Sequence, residues 1–327
     1  MRRLLLTSTG DGSFTSPVDP VELVRGIVAG GPPAADGYAY GIFESGGTGF
    51  ATAKIIDDGA GGYLGIYMVY QGFGTHFDVR LATSTDLLNW TYEVTLDTNA
   101  NLPTIARRAD GSFVTAWSDE DAAGGWLIRV RTYADLADLL AGTFTDNALL
   151  ARSLASGGNP EQVPNIFDPE DPMDIGFAYA TVAGAEDRAA RGTLTGLSGT
   201  GYTSWVTAAE TAMNAAILGL DPDIIAVGDW DRVTHLGETL TFAEGQILTM
   251  PGPYGAFHVY YWNGATAVQE MIATHGGSTE FANPTVQIVE DPLDHDDRAL
   301  VVAMFLHVTG AASGEYGEAV WYKRLPA

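Results

Sequence analysis

Thr52–Trp90 reads TAKIIDDGAGGYLGIYMVYQGFGTHFDVRLATSTDLLNW. An apolar run at Thr52–Ile56 passes through an Asp57-Asp58-Gly59 turn into an aromatic-rich run at Gly62–Tyr70. A third run follows at Val79–Thr83. Short β-branched and aromatic runs between Gly/Asp turns are the pattern of antiparallel strands. The unit recurs along the chain. Pro103–Arg107 leads through Asp110-Gly111 to Phe113–Trp117, and Val163–Phe167 leads through Asp168–Pro172 to Ile175–Ala180. Gly245–Met250 leads through Pro251-Gly252-Pro253 to Ala256–Trp262, and Pro284–Val289 leads through Asp291–Asp297 to Ala299–Val308. Repetition at this period predicts an all-β, five-bladed β-propeller with an N-terminal extension. The strands beginning near Thr52, Pro103, Val163, Gly245 and Pro284 are expected to line its axis. A β-sandwich would not need the unit five times. Helical periodicity is confined to Val21–Val28, Ala134–Leu140 and Ala208–Leu218. Residues 1–45 read as an N-terminal arm and 46–327 as the propeller.

Composition narrows the function. The 327 residues are 46% hydrophobic, too apolar for a disordered chain. Acids outnumber bases 41 to 16, a formal charge of −25, which argues against nucleic acid and anionic membrane as partners. The absence of cysteine excludes disulfides, thiolate metal sites and cysteine catalysis. Leu4-Leu5-Leu6 is too short for the apolar core of an export signal, and no run approaches the roughly 18 apolar residues of a spanning helix. Neither GxSxG nor GxxxxGK[ST] occurs, and no histidine pair has zinc spacing. No cofactor is expected. The acidic turns Asp168–Asp174 and Asp291–Asp297 have the hard oxygen ligands that calcium prefers, but read first as solvated hairpins.

Three motifs resemble a known group. Leu81–Trp90 resembles the "ATSxDLxxW" blade ending of the five-bladed glycosidase propellers of families 43, 32 and 68. Ala243-Glu244-Gly245-Gln246-Ile247 is similar to their "EGP" segment, and Leu300–His307 to their last-blade strand. In family 43 the resemblance implies a base Asp on the first blade, a pKa-tuning Asp on the third and an acid Glu on the fourth. Glu244 matches the acid. The base position falls on Thr52 and the tuning position on Val163, neither of them acidic. Glu161, two residues before Val163, is the replacement carboxylate singled out. Glu44, Asp119, Glu120 and Asp121 are further acids at strand ends.

Sugars are held by aromatic faces with polar groups at their hydroxyls. Trp117, Asp119, Trp230, Asp231 and His307 are the candidates for that task. With two of three acids missing, the expectation is a non-catalytic, carbohydrate-binding protein of the receptor-binding kind. It would be a spike or fibre of a phage-like particle or gene transfer agent that recognises an extracellular glycan or capsule polysaccharide. Met1–Leu6 would dock on another subunit through a linker bearing Pro17, Pro20, Pro32 and Pro33. The place would be a virion or phage-like particle, or the cytoplasm. The alternative is a family 43-like glycoside hydrolase with rearranged catalytic carboxylates.

Overall fold

The computed structural model describes residues 19–71, 77–120, 125–154, 159–181, 186–247 and 256–326. The arm segment Met1–Leu6 and Asp121 lie outside the described residues. Asp19 caps helix α1 (Pro20–Gly30), its side chain accepting from Val21 N–H, with Pro20 at the first helical position. Strand β1 (Gly37–Ala39) follows.

Four blades are then built in sequence, each a four-stranded antiparallel sheet ordered from the inside out. The first holds β2 (Ala51–Asp57), β3 (Tyr63–Tyr70), β4 (Phe77–Ser84) and β5 (Thr91–Thr98). The second holds β6 (Ala100–Arg107), β7 (Phe113–Glu120), β8 (Trp126–Tyr133), the short helix α2 (Leu136–Leu140) and β9 (Asp146–Leu149). In the third come β10 (Glu161–Asp168), β11 (Met173–Ala180), β12 (Asp187–Thr195) and β13 (Ser204–Ala209), followed by α3 (Thr211–Leu218). The fourth is β14 (Ile224–His235), β15 (Glu238–Ile247), β16 (Ala256–Trp262) and β17 (Ala267–Gln269). The fifth, β18 (Phe281–Asp291), β19 (Asp294–Leu306) and β20 (Gly317–Arg324), takes its outermost strand from the other end of the chain. There β1 pairs with β20, Gly37 opposite Tyr322 and Ala39 opposite Val320. Part of the segment read as an arm thus completes the propeller. Trp321 adds to the closure by donating its Nε1–H to the Ile27 carbonyl of α1 at 3.2 Å.

The first strands of successive blades touch in a closed ring, β2 with β6, β6 with β10, β10 with β14, β14 with β18 and β18 with β2. The core is therefore divided into five apolar seams, one between each pair of blades. One inner strand differs from expectation. The fourth is β14, and Gly245 lies on the second strand, β15. Asp229, Asp231 and Arg232 break the apolar run of β14, so its composition hides a strand whose burial comes from facing the axis.

Every inner strand carries a bulge at the same height. Pairing skips Thr52-Ala53, Leu102-Pro103, Val163-Pro164, Gly228-Asp229 and Asn283-Pro284. Thr52, Leu102, Val163 and Asn283 have φ of 50°, 52°, 57° and 52°. Three of the five second positions are proline, which has no N–H to lose from the ladder. Bulges twist a strand and re-aim its side chains, here toward the axis.

Candidate active site at the axis

Asp229 and Asp231 reach the axis from β14, and Glu244 from β15 beside it. Asp231, fully buried, forms an ion pair with Lys54 of the first blade. Its Oδ2 also accepts Val286 N–H at 2.9 Å and its Oδ1 accepts Arg232 N–H at 2.8 Å. The pair ties three blades together across the channel. Such a buried charge is tolerable because its cation and its amide donors are all in place.

Asp229 accepts the Asn165 side-chain amide at 2.6 Å and that of Asn283 at 3.4 Å. Glu244 Oε2 accepts Asn283 N–H at 2.7 Å. Asn283 therefore holds both carboxyls, one by its backbone and one by its side chain. Gly228 makes the approach possible, since a Cβ there would lie 2.2 Å from Glu244 Oε1. Burial pushes the Glu244 carboxyl up to about 7, against the backbone N–H donors of Asn283 and Asp229. Burial also pushes Asp229 well up, helped by the neighbouring charges of Glu244 and Asp231. Two carboxyls so placed do not both ionise at neutral pH, and they titrate as a unit.

The remaining sequence candidates are dispersed. Glu161 opens β10, and its Oε1 accepts Ser153 N–H at 2.8 Å and Leu154 N–H at 2.6 Å. Asp229 is the carboxylate that shares Asn283 with Glu244. Trp117 is fully buried in the seam between the first and second blades, under the Arg131 guanidinium. Trp230 packs in the third–fourth seam and donates its Nε1–H to the Phe177 carbonyl. Neither ring offers a face to a sugar, because both fill seams. Asp119 pairs with Arg129 at 2.5 Å on the second blade. His307 stacks on Phe257 with ring centroids 5.0 Å apart, and burial lowers its pKa. Glu44 takes the Tyr67 hydroxyl and the Arg80 guanidinium. In the two acidic turns Asp174 pairs with Arg191 and Arg232 and Asp291 with Arg324, while Asp168 and Asp171 accept the backbone N–H groups of Glu170 and Gly196. Among the described residues no group of three or more metal-ligating side chains is assembled.

Asp229, Lys54, Asn165 and Asn283 were not assigned from sequence. The signal for Asp229 lay in the repeat itself, since it occupies the bulge position held by Pro103, Pro164 and Pro284 in other blades.

No family model matches this sequence, and no curated protein matches it. Solved structures share the fold. A thermostable family-43 glycoside hydrolase superposes with a TM-score of 0.55 at 13% identity, over 88% of this chain and 93% of its own. An α-L-arabinanase of Cellvibrio cellulosa, solved with arabinohexaose, gives 0.52 at 11% identity over 85% and 92%. The catalytic domain of a family-62 α-L-arabinofuranosidase of Coprinopsis cinerea gives 0.51 at 10% over 88% and 95%. The chain has the five-bladed propeller fold of the family 43 glycosidases. The expectation of a non-catalytic glycan-binding protein is corrected on two grounds. The three structures named above are glycan-cleaving enzymes, and the count of missing acids overlooked β14, which brings Asp229 and Asp231 to the axis.

Proposed function

We propose that this protein is a glycoside hydrolase of the family 43 type whose catalytic carboxylates are regrouped on the fourth blade. The observation that carries this reading is the pairing of Asp229 with Glu244 on Asn283, beside the Lys54–Asp231 ion pair. Glycoside hydrolysis needs one carboxyl that holds a proton at the pH where another is ionised. The Asp229–Glu244 pair keeps a proton at neutral pH because burial disfavours its second charge. Glu244, 8% exposed against 4% for Asp229, delivers that proton to the glycosidic oxygen. The bond between the anomeric carbon and that oxygen breaks, the leaving sugar departs as an alcohol, water adds at the anomeric carbon, and its released proton returns to the pair, which ends as it began. Asp231 beside the pair raises the cost of ionising Asp229, and Lys54 offsets part of that cost.

Arabinose-containing glycans are the first substrates to test, because two of the enzymes sharing the fold act on them. The experiment is reducing-end release from linear arabinan, with aryl arabinofuranosides and other glycans in parallel. Turnover lost in both Glu244→Gln and Asp229→Asn, with the fold intact by circular dichroism, supports the reading. Turnover that survives both substitutions rejects it.

A further inference from the structure

The channel has a second mouth, where the inner strands end, and the proposed catalysis does not use it. A cavity of ≈ 670 Å³ opens there, with every blade contributing to its wall. Each inner strand gives the wall one aliphatic side chain, Ile56, Ile105, Ile166, Val233 and Ile288, of which all but Ile288 are buried in the seams, and Ala106 and Phe167 line it as well. Its polar lining is dominated by guanidinium groups. Arg107, Arg108, Arg232 and Arg298 all face it, four of the 16 basic residues of a chain with charge −25.

These cations are incompletely neutralised. The lining supplies three carboxylates, Asp57, Asp168 and Asp174. Asp174 is shared, because Arg191 binds it at 2.5 Å while Arg232 binds it at 2.6 Å. Asp57 serves Arg298 at 3.1 Å. Arg108 gives its Nε–H to the Pro169 carbonyl. Arg107 has no carboxylate or carbonyl partner among the described residues. It lies against Gly59, with the Phe113 ring centroid 6.0 Å away. An exposed arginine beside other guanidinium groups, without a counter-charge, is an oxyanion site in waiting.

We propose that this axial funnel binds a sugar carrying an oxyanion, a uronate or a sugar phosphate. The oxyanion would sit on Arg107 and its neighbours. The hydroxyls would meet Thr234, Gln287 and the flanking aspartates. The site is separate from the Asp229–Glu244 pair and does not depend on the catalytic reading.

The test is titration calorimetry of the full chain with D-galacturonate, galactose 6-phosphate, galactose and inorganic phosphate. Saturable binding of at least one of the two anionic sugars is expected, weakened by added salt. Arg107→Gln should reduce it roughly tenfold, the loss of about one charge-assisted contact. Arg298→Gln serves as the second variant should the first misfold, and circular dichroism checks both. The two anionic sugars distinguish a uronate from a phosphate source. Absence of binding by either would overturn the proposal. So would equal binding of neutral galactose, inorganic phosphate binding as tightly as the sugar phosphate, or indifference to both substitutions. Arg107→Gln is expected to leave reducing-end release unchanged, so a failure here leaves the catalytic reading standing.

Discussion

Glu244 Oε2 accepts the backbone N–H of Asn283 at 2.7 Å, across the seam between the fourth and fifth blades. Equivalent contacts occur at two other seams. Val163 N–H donates to Ser118 Oγ at 2.9 Å, and Thr52 N–H donates to Glu318 Oε2 at 2.8 Å. A bulge turns its N–H out of the ladder, and a buried N–H needs an acceptor. A serine hydroxyl meets that need between the second and third blades. At Glu244 a carboxyl occupies the place beside a second carboxyl, which costs free energy that capping alone does not require.

Gly228 is the position that tests this crowding. In Gly228→Ala the new Cβ would meet Glu244 Oε1, the far end of a flexible side chain, so the fold should tolerate it while the carboxyl moves. A roughly tenfold or greater fall in kcat is expected, since misplacement by about 1 Å is costly for a positioned group. Thermal denaturation should show a change of only a few degrees. Undiminished kcat would mean that the position of Glu244 is immaterial.

The Lys54–Asp231 pair makes a separate prediction about stability. Lys54→Met leaves a fully buried Asp231 carboxylate without its cation, and urea denaturation should show a loss of about 3–5 kcal/mol. Adding Asp231→Asn to that variant should recover part of the loss, because the uncompensated charge goes. A double variant less stable than Lys54→Met would contradict the account.

Glu318 predicts the pH dependence of stability. It is fully buried, and burial raises its carboxyl from 4.5 to about 8, against the N–H groups of Ala53 and Thr52. A raised carboxyl favours the folded state while it stays protonated. Its contribution is therefore full below about pH 4.5, is lost as pH rises towards 8 and is absent above that. Glu244 acts in the same direction over a range ending near 7. Stability should fall between these limits, and Glu318→Gln should flatten the slope. That variant should also cost about 1–3 kcal/mol at pH 6, since one bulge N–H loses its acceptor. An unchanged slope would show that Glu318 does not titrate with folding.

The propeller was readable because each blade repeats a local unit. The fourth inner strand was not readable, because charged residues facing an axis look like a loop. Trp117 and Trp230 show a second limit, since a tryptophan has the same composition signal in a seam as on a sugar-binding face. Glu318 was invisible for a different reason. Its acceptor role spans 266 residues of sequence, and only ring closure brings it to Thr52. Glu244 was found by its motif, but its partner Asp229 became apparent only when β14 took its place in the ring.

The pH dependence of kcat/KM for arabinan cleavage tests the central claim most directly. The account predicts activity that falls above about pH 7 as the Asp229–Glu244 pair loses its proton, and that is abolished in Glu244→Gln. Cleavage that persists in Glu244→Gln with an unaltered pH profile would contradict it.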